Sequence, residues 1–191
     1  MGLPSNQSEQ DYGACIFGDV ASGFVYRDGD PSSEPPKTGA VAELALPAVT
    51  VDLSVTNFTV AVTTAEINQG DRLVGFQGDF TFDETVVNFA DNPVETAGLT
   101  GDNWNVSANI LPGPGPIRTI RVSAYTNDFR PLSGSGTLFN LNMVRVNNVP
   151  GSSTALTWAA TPGEFLFIDA DLNAQAPGSA PPGVITFEPA P

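Results

Sequence analysis

The 191-residue sequence contains no histidine and a single cysteine, Cys15. Without an imidazole there is no usual general base to activate a serine or cysteine nucleophile, and the commonest zinc ligand is missing. One cysteine builds neither a thiolate metal cage nor an internal disulfide framework. Cys15 is left to pair between subunits or to stay a free thiol. No Gly-x-Ser-x-Gly elbow occurs, and no phosphate-cradling loop ending in Gly-Lys-Ser/Thr. Carboxylates are plentiful, and two suffice for glycoside hydrolysis, but any acidic chain offers such pairs. The expectation is a protein that is not an enzyme and requires no cofactor.

Basic residues are scarce as well: seven Lys and Arg stand against 21 Asp and Glu, for a net charge of −14, and Lys37 is the only lysine. Phosphate backbones and anionic membrane surfaces need clustered basic side chains, so nucleic acid is excluded as a partner. No segment approaches the ~20 apolar residues of a membrane span, so no membrane insertion is expected. Met1 to Ala14 is polar and lacks the apolar run of a secretory leader, which reads as a mature region. The acidity suits solubility outside the cell, and the expected location is extracellular or at the cell surface.

What the chain does have is glycine (19), proline (17) and 41% hydrophobic residues. The first two break helices and punctuate short strands. Composition divides the chain into an extended, Pro/Gly-rich N-terminal arm over 1–47, a β domain over 48–187 and a tail over 188–191. The arm carries two apolar patches, Cys15-Ile16-Phe17 and Phe24-Val25-Tyr26, which a pure linker would not need. In the domain, apolar residues alternate with polar ones, and side chains two apart share a face of a strand. Val49, Val51, Leu53 and Val55 form one such row. Val74, Phe76, Gly78, Phe80 and Phe82 form the clearest, with Gly75, Gln77, Asp79 and Thr81 opposite. Ile120, Val122 and Ala124 point inward, and Arg121, Ser123 and Tyr125 outward. The run from Leu138 to Val146 is less cleanly divided. Strands at 155–158, 164–168 and 183–187 close the set, separated by turn-forming Gly, Pro and Asn. Recurrent short strands of this kind predict an all-β sandwich.

Two sets of residues carry local chemistry. Asp169-Ala170-Asp171-Leu172-Asn173 has the alternating oxygen ligands that open a calcium loop. The glycine expected next is Ala174 and no carboxylate follows at the twelfth position, so Asp169, Asp171 and Asn173 are candidates for a partial calcium site only, or for a polar turn. Asn6, Asn57 and Asn105 each begin an Asn-x-Ser/Thr acceptor for glycosylation. Trp104, Trp158 and the three tyrosines are the aromatics available to stack on a sugar, Trp158 within a strand where a core role is expected.

The segment Val74–Phe89, with its Phe-rich strand running into an Asp-centred turn and a short apolar strand, resembles a cohesin domain, the module of scaffold proteins that captures dockerin modules. Ile120–Tyr125 followed by Pro131–Leu138 matches the family's next strand and turn, and Phe165–Asn173 looks like its closing phrase. Together these span roughly 49–187. The resemblance implies an antiparallel jelly-roll β-sandwich of about nine strands, with a dockerin-like partner held on the exposed face of one sheet. By position it implies Gln77, Asp79, Thr81, Arg121, Ser123 and Tyr125 as partner-binding residues, Tyr125 above all because exposed aromatics are enriched in interface hot spots. Gly75 departs from the polar residue of the best-known class. A second reading is a self-assembling structural subunit, for a filament or surface layer, whose arm adds a strand to the sheet edge of an identical subunit. A third is a carbohydrate-binding module.

Overall fold

The computed structural model describes residues 41–101, 103–160 and 163–190. Cys15, Asn6 and the apolar patches of the arm lie outside these residues. The described chain forms twelve strands, and no α-helix occurs among the described residues. In order they are β1 (Leu44–Ala45), β2 (Ala48–Asp52), β3 (Asn57–Ile67), β4 (Leu73–Asp83), β5 (Val87–Thr96), β6 (Trp104–Leu111), β7 (Ile117–Thr126), β8 (Gly134–Arg145), β9 (Ser153–Trp158), β10 (Leu166–Asp169), β11 (Ala174–Gln175) and β12 (Gly183–Glu188). The count exceeds the expected nine partly because β1 and β11 are two-residue fragments.

The strands form two sheets of a sandwich. One runs β1-β3-β8-β5. The other runs β11-β10-β4-β9-β12-β2, with β7 on the remaining flank of β4 and β6 beyond β7. Alternation explains β4: Phe76, Phe80 and Phe82 are almost fully buried. The same period buries Ile120, Val122 and Ala124 of β7, and Phe139, Leu141 and Met143 of β8. Phe76 joins the two layers. Its ring stacks on Phe139 of the opposite sheet with centroids 5.5 Å apart, and on Trp104 at 6.0 Å and Phe165 at 5.7 Å. After β4 the chain turns on Asp83, whose Oδ1 accepts hydrogen bonds from the Thr85 backbone N–H (2.9 Å) and hydroxyl (2.7 Å), the turn an Asp at this position favours.

Four expectations need correction. Residues assigned to the arm belong to the core: Val41, Ala42, Leu44 and Leu46 are buried, and β1 pairs with β3. Prolines and small residues around them masked this apolar alternation. At the other end, Glu188 belongs to β12 rather than to a tail, paired with Asp52. Val49 and Val55 are not inward-facing but more than a third exposed: Val55 lies beyond β2, in the turn where its N–H bonds the Asp52 carbonyl, and among the described residues β2 is an outermost strand whose single strand neighbour is β12. That neighbour runs parallel to it, from Ala48↔Val184 to Asp52↔Glu188, so the sandwich is not wholly antiparallel.

Candidate protein-binding face

Strands β10, β4, β7 and β6 lie side by side, and their outward residues fall into register. Ile168, Gly75, Tyr125 and Asn105 form one row, and Leu166, Gln77, Ser123 and Ser107 the next. Asp79, Arg121 and Asn109 form a third, and Thr81, Thr119 and Leu111 a fourth. The six residues implied by the resemblance, Gln77, Asp79, Thr81, Arg121, Ser123 and Tyr125, are thus neighbours on one surface. Gly75 sits where a β-carbon would stand 3.0 Å from the Ala124 carbonyl oxygen, so backbone crowding accounts for the missing side chain.

Asp79 is on this face but is not open to a partner, contrary to expectation. It is 7% exposed, and its carboxylate is gripped on both oxygens by Arg121, Nε to Oδ1 at 2.8 Å and Nη2 to Oδ2 at 2.9 Å. The cover comes from a long bulge. β9 and β10 run along the same flank of β4, with Thr157↔Thr81 and Trp158↔Phe80, then Leu166↔Gln77 and Phe167↔Phe76. The described residues between them, Ala159, Ala160 and Gly163 to Phe165, form this bulge opposite Gly78 and Asp79. Gly163 accepts from the Asp79 N–H at 2.8 Å, and a β-carbon at Gly163 would stand 2.9 Å from Asp79 Oδ2. Arg121 remains partly exposed, so the pair presents a neutralised surface instead of a free carboxylate.

One end of the face is more accessible and more apolar. Tyr125 is 60% exposed, Phe129 78% and Leu172 81%. Because β4 and β6 start where β7 and β10 finish, Arg72, Asn103, Phe129 and Leu172 all gather at this end. They are also the described non-glycine residues with positive φ, at 53°, 60°, 59° and 65°. Such backbone costs roughly 1–3 kcal/mol per residue and persists only where the surroundings impose it. Here they do: Ala170 N–H donates to the Arg72 carbonyl (2.9 Å), Asn127 N–H to that of Asn103 (2.8 Å), and Arg72 Nη1 pairs with Asp171 at 2.9 Å. Sequence reasoning missed Phe129, Leu172 and the β10 pair Leu166 and Ile168. The available signal was an apolar residue embedded in a polar turn, Asp128-Phe129-Arg130 and Asp171-Leu172-Asn173.

The Asp-x-Asp-x-Asn turn does not fit a calcium ion. The buried Asp169 carboxylate accepts from the N–H groups of Asp171 and Asn173 (both 2.9 Å) and from the side-chain amides of Asn173 (3.1 Å) and Gln175 (2.8 Å). Asp171 points instead to Arg72. The centre of the turn is therefore filled by N–H hydrogens rather than oxygen lone pairs, and no cluster of three metal-ligating acidic, His or Cys residues occurs among the described residues. Burial pushes the Asp169 carboxyl up, but the hydrogen bonds from Asn173, Gln175 and Asp171 outweigh it, leaving its pKa below the ordinary 3.8. A depressed folded-state pKa gives stability that is complete above the unfolded-state value and is lost as pH falls through the folded one. Asp169→Asn is expected to cost about 2–3 kcal/mol at neutral pH, the scale of hydrogen bonds to a charged group. It should also flatten the fall in melting temperature between about pH 5 and pH 2, which thermal melts across that range would read.

Asn57 opens β3 and Asn105 lies in β6, both exposed. Asn105 donates its side-chain amide to Asn127 Oδ1. Trp104, a candidate for sugar stacking, is buried in the core against Phe76, which removes it from any sugar-binding surface.

No protein-family model matches the sequence, and no curated protein does. Solved structures do match. The sixth cohesin of Acetivibrio cellulolyticus scaffoldin B, solved in complex with a dockerin, shares 16% identity, covers 78% of this chain and all of its own length, and superposes with a TM-score of 0.58. A cohesin module from a family 33 glycoside hydrolase of Clostridium perfringens shares 10% identity over 80% of this chain and 100% of its own, with a TM-score of 0.60. A non-cellulosomal cohesin from the archaeon Archaeoglobus fulgidus shares 16% identity over 78% and 91%, with a TM-score of 0.53. The fold is cohesin-like.

Proposed function

We propose that this chain is a non-catalytic protein-binding module of extracellular or cell-surface location. It holds a dockerin-like partner on the β10-β4-β7-β6 face. The observation that carries the reading is the exposed Tyr125 at the apolar end of a largely polar, uncharged sheet face, with Asp79 and Arg121 neutralising each other within it. Small residues such as Ser107 and Ser123 let a partner approach closely, and Tyr125, Phe129 and Leu172 supply the apolar area that drives association. Dockerins in complex with modules of this fold support the partner class. The burial of Trp104 argues against the carbohydrate-binding alternative.

Surface plasmon resonance of the immobilised chain against a panel of purified dockerin modules tests this. Binding is expected, and Tyr125→Ala should weaken it at least about thirtyfold, the loss of about 2 kcal/mol that defines an interface hot spot. A panel without a single binder, or unchanged affinity in the variant, would overturn the assignment.

A further inference from the structure

Sheet edges expose unpaired N–H and C=O groups, and proteins blunt them with short strands, prolines, charges or bulges. Of the five strands that end a sheet among the described residues, four are blunted in this way, although the two-residue β1 faces only Thr63 and Thr64 and leaves Asn57–Val62 of β3 without a strand partner on that side. β1 and β11 are two residues long. β2 is five residues long, follows Pro47 and carries Asp52. β5 carries Asp91, Pro93 and Glu95, and its register with β8 shifts between Phe89 and Val94. β6 has none of these devices. It runs eight residues, Trp-Asn-Val-Ser-Ala-Asn-Ile-Leu, without charge or proline, and its register with β7 is unbroken from Trp104↔Thr126 to Leu111↔Thr119. Among the described residues it pairs with no other strand.

The inner side of β6 is also incompletely covered. Trp104 is buried, Val106 and Ala108 are half-buried, and Ile110 is 40% exposed. An added strand would extend the sheet and cover this row together.

We propose that β6 is the dimerisation edge, occupied by β6 of a second copy in antiparallel register about a two-fold axis at Ser107. The strand is complementary to itself in this register. Asn105 falls opposite the second copy's Asn109 and Ser107 opposite its own equivalent on the outer face. On the inner face Val106 meets Ala108 and Trp104 meets Ile110. Large residues meet smaller ones, amides meet amides, and each residue meets one that shares its face, as isologous pairing requires. Centring on Ala108 would set Asn105 against Leu111 and bring Pro112, which has no N–H, into the ladder. Two copies each carrying −14 repel one another, and an uncharged strand lets them touch without opposing carboxylates. Association should therefore strengthen as salt screens the rest of the surface. The dimer joins two β10-β4-β7-β6 faces into one continuous sheet and sends the two Tyr125 ends in opposite directions, making the assembly bivalent.

The test is the mass of the full chain under reducing conditions by size-exclusion chromatography with light scattering, without any partner, so it is independent of dockerin binding. The expected mass is twice the 19.9 kDa of one chain. Ser107→Lys and Ser107→Glu, which place like charges across the axis, should each run as monomers. Their circular dichroism spectra should match wild type. An equimolar mixture of the two should return to the dimer mass, which a misfolded variant could not do, and should regain any fall in melting temperature, because association stabilises the folded state. A wild-type chain that is monomeric at high micromolar concentration, single variants that still dimerise, or a mixture that stays monomeric would each overturn the proposal.

Discussion

Phe76→Ala will lower the unfolding free energy by about 3–5 kcal/mol, the range for truncating a fully buried phenylalanine. The ring is 1% exposed and touches four other aromatics: Trp104, Phe139, Phe165 and Phe167, with centroids 5.5 to 6.5 Å away. Those neighbours come from β6, β8, the end of the bulge and β10, so both sheets lose contacts to one cavity. Rings packed in this way relax little, because each is itself held by others; Phe165, for instance, also sits edge-on to Trp158 and Phe167 at 5.0 Å. Urea denaturation should show a lowered midpoint with an unchanged slope, the mark of lost stability without a change in the surface exposed. A loss below about 1 kcal/mol would place Phe76 outside the close-packed centre.

Gly78→Val should cost about 3 kcal/mol by the opposite mechanism, overpacking. A β-carbon at Gly78 would stand 2.8 Å from the Cα of Phe165 and 2.9 Å from its ring. The obstacle is backbone, so no change of rotamer relieves it. Phe165 would have to withdraw, and the bulge with it, uncovering the Asp79 carboxylate that Gly163 lies against. Trp158 packs on Phe165 with centroids 5.0 Å apart, so the variant should show red-shifted tryptophan emission in the folded state as well as a lower melting temperature. Normal emission with wild-type stability would mean that the bulge does not rest on Gly78.

Strands whose period-two alternation meets one core were legible from residues alone. The Phe-rich row of β4 and the Ile120-Val122-Ala124 row of β7 are cases, because burial on one face leaves a direct imprint on sequence. Asp79 shows where the imprint ends. Alternation placed it on the outward face correctly, yet the glycine that covers it comes 84 residues later, and no local pattern announces such a bulge. Val49 and Val55 alternate as well as any inward row, but burial requires an opposing layer; Val49 is in β2 at the rim, and Val55 is in the turn that follows it. Leu44 and Leu46 sit among prolines and alanines that read as linker, although long-range pairing with β3 buries them. The Asp169 turn was ambiguous because an Asp-x-Asp-x-Asn run serves equally to surround a cation or to accept its own backbone N–H groups. What separates the two is where the groups point: Asp171 toward Arg72, and the amides of Asn173 and Gln175 toward Asp169.

The parallel register of β2 and β12 bears on how the module would respond to tension. Chain approaches this pair at Ala48 and leaves it at Glu188, and in a parallel pair those two points lie at opposite tips. A pull applied through the flanking chain therefore slides one strand along the other, loading every rung of the ladder at once instead of peeling them apart in turn. Shear of this kind breaks the bonds together and so resists rupture better than peeling does.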